Sequence, residues 1–185
     1  MRKALFALAL FGALAFAGAA SAGLLVRETF HDEGTFVLED FCDVSGLTIE
    51  GAFSVDGRAH AVPHGPSGLA YFIEHIRSTA VLTNPDTGAM TTEVATVTQK
   101  DQRVTDNGDG TLTILVLGTG NDVVYGPDGK AIARNPGQVR FGILIDDGGT
   151  PTDPSDDEFL EDLGTVKEST GRTDDFCEAV LPVLG

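Results

Sequence analysis

Apolar and polar residues alternate with a period of two along much of this chain. Between Leu47 and Val55, and again between Val139 and Ile145, every second residue is apolar or glycine. Alternation of this kind is typical of a strand with one buried face. Three longer segments, residues 69–83, 90–104 and 111–125, are rich in the β-branched residues that favour strands. The pattern predicts five strands between residues 47 and 145.

The segments between these strands predict how the strands pair. Residues 84–88 read Asn-Pro-Asp-Thr-Gly, residues 106–110 read Asp-Asn-Gly-Asp-Gly, and residues 126–130 read Gly-Pro-Asp-Gly-Lys. Each is a short run of turn-forming residues, and a short connection joins antiparallel neighbours. We therefore expect an all-β fold, an antiparallel up-and-down meander. Since open edges of long strands invite aggregation, we expect closure into a small β-barrel, with a two-sheet β-sandwich as the alternative.

The two ends of the chain differ from this strand pattern. Arg2 and Lys3 precede an apolar run over residues 4–16, and small residues follow up to Ala22. This pattern predicts a secretory signal peptide over residues 1–22, too short for a transmembrane anchor, and a single barrel domain over 23–185. Residues 174–181 favour one or two helical turns, which Pro182 limits.

The chain is strongly acidic. The chain has a formal net charge of −16, which becomes −18 without Arg2 and Lys3. A nucleic-acid backbone would be repelled, so nucleic acid is not an expected partner. The chain has two cysteines, Cys42 and Cys177, and no C-x-x-C spacing. In an exported protein this count predicts one disulfide that closes a very long loop.

Carboxylates concentrate in the segment from residue 146 to residue 175, which has 11 acidic and two basic residues. A Gly/Pro-rich loop at its start carries a group of acidic residues that forms a weak calcium candidate: Asp147, Asp153, Asp156, Asp157 and Glu158. Calcium prefers such oxygen ligands, but the order of the residues matches no standard calcium loop. A solvated acidic loop without any cofactor is the simpler interpretation.

One face of the second predicted strand carries a possible ligand-binding trio. Tyr71, His75 and Arg77 share that face, and Glu74 lies on the other. If the first face points into a barrel lumen, the trio would orient a carboxylate ligand or act as acid and base. If the second face points inward, Glu74 is the polar group inside. The alternative is that the trio faces solvent.

Standard catalytic and metal patterns are weak or missing. His60 and His64 are close in sequence, but Pro63 and Gly65 make their segment a loop, and a third zinc ligand such as His31 or His75 would need a tertiary contact. The chain has no nucleophile elbow, P-loop or dinucleotide fingerprint. We therefore predict no catalytic residues, and an enzyme is less expected than a binding protein.

Several motifs together resemble a group of small exported actinobacterial proteins. They are residues 103–113, 118–121, 125–130, 147–153 and 174–177. The resemblance covers roughly residues 40 to 180, and it implies export and little more. In general shape the group is similar to lipocalin-like or allene-oxide-cyclase-like barrels, a likeness of fold that transfers no catalytic residue.

These observations favour a secreted, non-catalytic β-barrel that binds a small apolar or amphipathic ligand or a surface partner. A barrel enzyme of the cyclase or isomerase type, using Tyr71, His75, Arg77 or Glu74, is the second hypothesis. A structural cell-envelope protein with a filled barrel is the third. The sequence leaves the ligand and the oligomeric state open.

Overall fold

A computed structural model describes residues 25–185, so the predicted signal peptide lies outside the described residues. The strands are β1 (Val26–Leu38), β2 (Ile49–His64), β3 (Leu69–Thr83), β4 (Met90–Asp106), β5 (Thr111–Tyr125), β6 (Ala131–Arg134), β7 (Gly137–Asp146) and β8 (Glu158–Lys167). A short 3-10 turn spans Phe41–Asp43, and one helix, α1, spans Phe176–Leu184. The all-β prediction is confirmed.

All eight strands belong to one antiparallel sheet. Its order is β1-β2-β3-β4-β5-β7-β8, so consecutive strands are neighbours, as the short turns predicted. Both β6 and β7 pair with β5: β7 with residues 111–120 and β6 with residues 123–125, and Asn135 and Pro136 lie between β6 and β7. The sheet is open, with β1 and β8 as its edges, so closure into a barrel is not confirmed.

Helix α1 packs against one end of one face of this sheet. Val180 and Leu184 are fully buried there in a cluster that includes Ile49, Leu82 and Val124. We call the side of the sheet that carries these three strand residues the helix face, and the other side the opposite face. Residues alternate between the two faces along each strand.

The predicted disulfide is present and fastens this helix to the sheet. Cys42, in the 3-10 turn after β1, is bonded to Cys177 in the first turn of α1, 135 residues away. Loop-closure entropy for so long a loop stabilises the fold by about 5 kcal/mol as an upper figure. The prediction from cysteine count is confirmed.

The C-terminal helix is longer than expected. The Asp175 carboxylate accepts a hydrogen bond from the backbone N–H of Glu178, which caps the start of α1. Pro182 lies inside the helix and does not end it before Leu184. Burial of Leu184 compensates for the backbone hydrogen bond that proline cannot make.

The sheet contains strands that the alternation pattern did not reveal. On β1, Glu28 and Asp32 occupy helix-face positions, so the apolar period is interrupted. Strand β8 lies within the acidic segment, where we expected a loop, and its apolar residues Phe159, Leu160 and Leu163 are exposed. Strand β2 also continues nine residues beyond Val55, to His64. Pairing with a neighbouring strand stabilises these segments where one-sided burial does not.

A second apolar cluster lies at the other end of the sheet. It contains Leu69, Val104, Leu112, Ile114 and Ile145, with Tyr71 packed against it. A bulge between Asp101 and Arg103 shifts the register of β4 against β5 at this end. Within residues 25–185, no helix has the length and apolar character needed to cross a membrane.

Candidate functional site

Charged side chains are sorted between the two faces of the sheet. The register of β1 to β5 and β7 assigns seven carboxylates to the helix face: Glu28, Asp32, Glu74, Glu93, Asp101, Asp106 and Asp122. No Lys, Arg or His occupies a helix-face position in these described strands. The opposite face carries the basic residues of the same strands, chiefly Arg27, Arg58, Arg77, Lys100 and Arg140. The face that bears them differs in charge from the acidic chain as a whole.

A groove of about 340 Å³ lies on the opposite face near the middle of β2, β3 and β4. Its charged and imidazole lining residues are Asp56, Arg58, His75 and Arg77. Three threonines, Thr29, Thr96 and Thr98, supply hydroxyl groups around them. Two members of the predicted trio, His75 and Arg77, therefore lie together in one groove.

The polar partners within the groove leave its two arginines free. The Nδ1 atom of His75 lies 2.9 Å from the Thr98 hydroxyl. Asp56 is 2.9 Å from Nδ1 of His31, which neighbours the groove on β1. In the part of the chain that the structure describes, Arg58 and Arg77 make no ion pair and no side-chain hydrogen bond. Both arginines are exposed and able to receive an anion.

Tyr71, the third member of the predicted trio, makes its contacts outside the groove. Its hydroxyl accepts a hydrogen bond from the backbone N–H of Val104 at 3.1 Å. Its ring lies 4.6 Å from that of His64, centroid to centroid, and packs against the second apolar cluster. Tyr71 therefore supports the end of the sheet and does not line the groove.

The helix face holds half-buried carboxylates. Burial raises the pKa of Glu74, with Glu28 adding a like charge nearby. Burial and the like charge of the neighbouring Asp122 raise the pKa of Glu93 to about 7. Burial also raises the pKa of Asp101 to about 6, although its carboxylate accepts a hydrogen bond from the backbone N–H of Phe72 at 2.8 Å. This face is therefore protonated in part at mildly acidic pH.

The acidic loop before β8 brings Asp147, Asp153 and Asp156 near Asp157, and the first three accept hydrogen bonds from within the loop. Asp147 is 2% exposed, and its carboxylate accepts from the backbone N–H of Gly149. Asp156 accepts from the Thr150 hydroxyl, and Asp153 accepts from the backbone N–H of Ser155. Asp157 has its pKa raised to about 7 by burial and by the charges of Asp156 and other acids nearby.

The weak calcium and zinc hypotheses gain no support from this geometry. Glu158 is the first residue of β8 and is exposed. Across residues 25–185, no three His, Cys, Asp or Glu side chains are grouped so that they could hold a metal ion. The four histidines lie on β1, β2 and β3, where each has other neighbours.

Sequence reasoning missed Arg58 as a groove residue and missed the basic face as a whole. Arg58 lies directly across from His75 in the β2–β3 register, and Asp56 across from Arg77. Alternation within each strand assigns faces, but only the register between strands shows which faces join. Counting charges at alternate positions would have shown only that acidic and basic residues separate within one strand, as Glu74 does from His75 and Arg77 on β3.

Comparisons with protein families, with curated proteins and with solved structures find no match for this chain.

Proposed function

We propose that the protein is an exported, non-catalytic binding module that holds the anionic head group of a small amphipathic ligand. The observation that carries this proposal is the pair of unpaired guanidinium groups, Arg58 and Arg77, on either side of His75 in one groove. Guanidinium groups bind carboxylates and phosphates through paired hydrogen bonds, and threonine hydroxyls add further donors.

The charge of the whole protein makes these unpaired arginines informative. The chain has 28 acidic residues and 12 basic ones, so carboxylate partners are plentiful. Arg172 and Lys130, which lie off the sheet, do form ion pairs with Asp174 and Asp128. Arginines that have no carboxylate partner, on a face with fewer carboxylates than the other, favour binding of an external anion.

Apolar residues beside the groove supply contacts for the rest of an amphipathic ligand. Ile73 is two residues from His75 on the same face, and its register neighbours continue through Lys100 to Leu117. A ligand with its head group at Arg58 and Arg77 would lay its apolar part along these residues. A larger groove of about 430 Å³, near Thr35, Glu50 and Thr83, contains a carboxylate and no cation, so it suits an anion poorly.

The arrangement favours binding over catalysis. The enzyme hypothesis needs Tyr71, His75, Arg77 or Glu74 to converge on one substrate. The Tyr71 hydroxyl accepts from a backbone N–H, and Glu74 lies on the other face of the sheet. Export is supported by the predicted signal peptide and by the Cys42–Cys177 disulfide, a bond typical of oxidising compartments.

Calorimetric titration of the purified protein with dodecanoate tests this function. We expect saturable binding, weakened at least about tenfold by Arg58→Gln combined with Arg77→Gln, because each loses a charged hydrogen bond. Dodecyl maltoside, which has the same chain and an uncharged head group, is the ligand control, and Arg172→Gln is the matched protein control. Equal binding of both ligands, or unchanged affinity in the double variant, would contradict the proposal.

A further inference from the structure

Basic residues on the opposite face continue well beyond the groove. The register pairs Arg27 with His60, His60 with Ile73, and Ile73 with Lys100. The same line then passes through Leu117 to Arg140 on β7 and on to Lys167 on β8. It crosses seven of the eight strands at right angles to their direction.

This line and the groove form one band. We define the cation band by its eight members: Arg27, His31, Arg58, His60, His75, Arg77, Lys100 and Arg140. Neighbouring strands lie about 4.8 Å apart, so Arg27 and Arg140, five strands apart, are separated by about 24 Å. The residues of the groove occupy the next two register lines of the same face, two and four residues on, which is about 6.8 Å and 13.6 Å farther along the strands.

The band is open to an external anion. Among the described residues, none of its five lysine and arginine side chains lies within ion-pairing distance of a carboxylate. Asp56 is the carboxylate among the band's register lines, and it is bonded to His31. The Nε atom of Arg140 is buried without a hydrogen-bond partner.

We propose that the cation band binds a linear polyanion that runs across the strands, with one of its anionic groups in the groove. The proposal rests on the proposed function in that the groove supplies one of several anion positions. Repeated carboxylate or phosphate groups along a flexible chain match cations spread over about 24 Å. A single small head group would leave Arg27, Lys100 and Arg140 unused.

A narrow chain also suits an acidic protein better than a broad anionic surface does. The seven helix-face carboxylates lie behind the sheet, and charges beyond about 8–10 Å are largely screened at physiological salt. A thin chain on the band meets its cations at contact distance. A flat anionic membrane would face the acidic surroundings of the band as well.

The chemistry of the band argues against single-stranded nucleic acid. Proteins that bind such strands without sequence preference stack the bases on aromatic side chains. The chain has no Trp, and the band contains no Phe or Tyr. Tyr71, the nearest tyrosine on β3, has its ring against His64 and its hydroxyl bonded to Val104.

Binding of inorganic polyphosphate of increasing length, measured by calorimetry with the full protein, tests the proposal. We expect affinity to rise at least tenfold between triphosphate and chains that span the band. We also expect the logarithm of the binding constant to fall with the logarithm of salt concentration, at a slope that grows with chain length. A length series of oligogalacturonate forms a second arm, and binding in either arm supports the proposal and identifies the preferred anionic group.

Two residues at the ends of the band, outside the groove and outside the path proposed for the apolar part of the ligand, allow a specific variant. Arg27→Gln with Arg140→Gln is expected to weaken long-chain binding at least tenfold while changing dodecanoate affinity less than twofold. Lys130→Gln, which removes an exposed lysine off the sheet, is the matched control. Affinity independent of chain length in both arms, or oligothymidylate binding as tightly as polyphosphate of equal charge, would overturn the proposal. If the wild-type protein does not bind dodecanoate, that result would instead contradict the proposed function of the groove.

Discussion

The two faces of the same strands have opposite chemistry. The helix face combines an apolar cluster under α1 with half-buried carboxylates whose pKa values are raised. The opposite face carries unpaired, mostly exposed basic residues around an open groove. Both arise from the alternation of side chains along each strand, because an extended chain sends neighbours to different sides. Net charge alone therefore says little about what one face of a sheet binds.

The largest expected effect comes from removing the disulfide that joins α1 to the sheet. Cys42→Ser with Cys177→Ser should lower the free energy of unfolding by about 2–5 kcal/mol, because the long loop regains its entropy in the unfolded chain. Urea denaturation monitored by circular dichroism measures the change. Wild-type protein under reducing conditions is the control and should match the variant. A loss below about 1 kcal/mol would contradict a stabilising role for the bond.

The helix-face carboxylates predict how stability depends on pH. The folded-state pKa of Glu93 is raised to about 7 and that of Asp101 to about 6, above their values of 4.5 and 3.8 outside the fold. Such groups stabilise the fold fully below the unfolded pKa, and this contribution is lost as pH rises through the folded pKa. We expect the urea concentration at the unfolding midpoint to decrease as the pH is raised from 5 to 8.

A neutral substitution tests the cause of that dependence. Glu93→Gln should remove part of the pH dependence and stabilise the protein at pH 8 by on the order of 2 kcal/mol. Glu50→Gln, at an exposed position on the opposite face, is the matched control and should leave the dependence unchanged. A protein equally stable at both pH values would show that the carboxylates are not desolvated as described.

The smallest expected effect separates structural from binding residues on the opposite face. Tyr71→Phe removes the hydroxyl that accepts from the Val104 N–H and should cost about 1 kcal/mol of stability. Dodecanoate affinity should not change, because Tyr71 does not line the groove. Thermal unfolding and calorimetric titration provide the two readings. A selective loss of binding would place Tyr71 in the site after all.

Local sequence was sufficient for much of the fold. The strands at 69–83 and 111–125 were predicted with the observed bounds, since turn residues mark both ends of each. The strand at 90–106 was predicted to within two residues. Strand β1 was missed because Glu28 and Asp32 interrupt its apolar period, and β8 because acidic residues obscure it.

The candidate site was predictable only in part. That His75 and Arg77 share a face follows from their spacing on one strand. Arg58 joins them in the groove because of how β2 aligns with β3, and Tyr71 does not join them because of the bulge that shifts β4 near Asp101. No spacing within one strand contains that information.

The amino-acid pattern was enough to establish the meander, its turns and the pairing of Cys42 with Cys177. These depend on short-range preferences of the backbone and on a cysteine count that allows one bond. The gathering of cations into one band, and the openness of the sheet between β1 and β8, depend on tertiary structure. They result from the register of eight paired strands, which is set by many weak contacts between residues far apart in the chain.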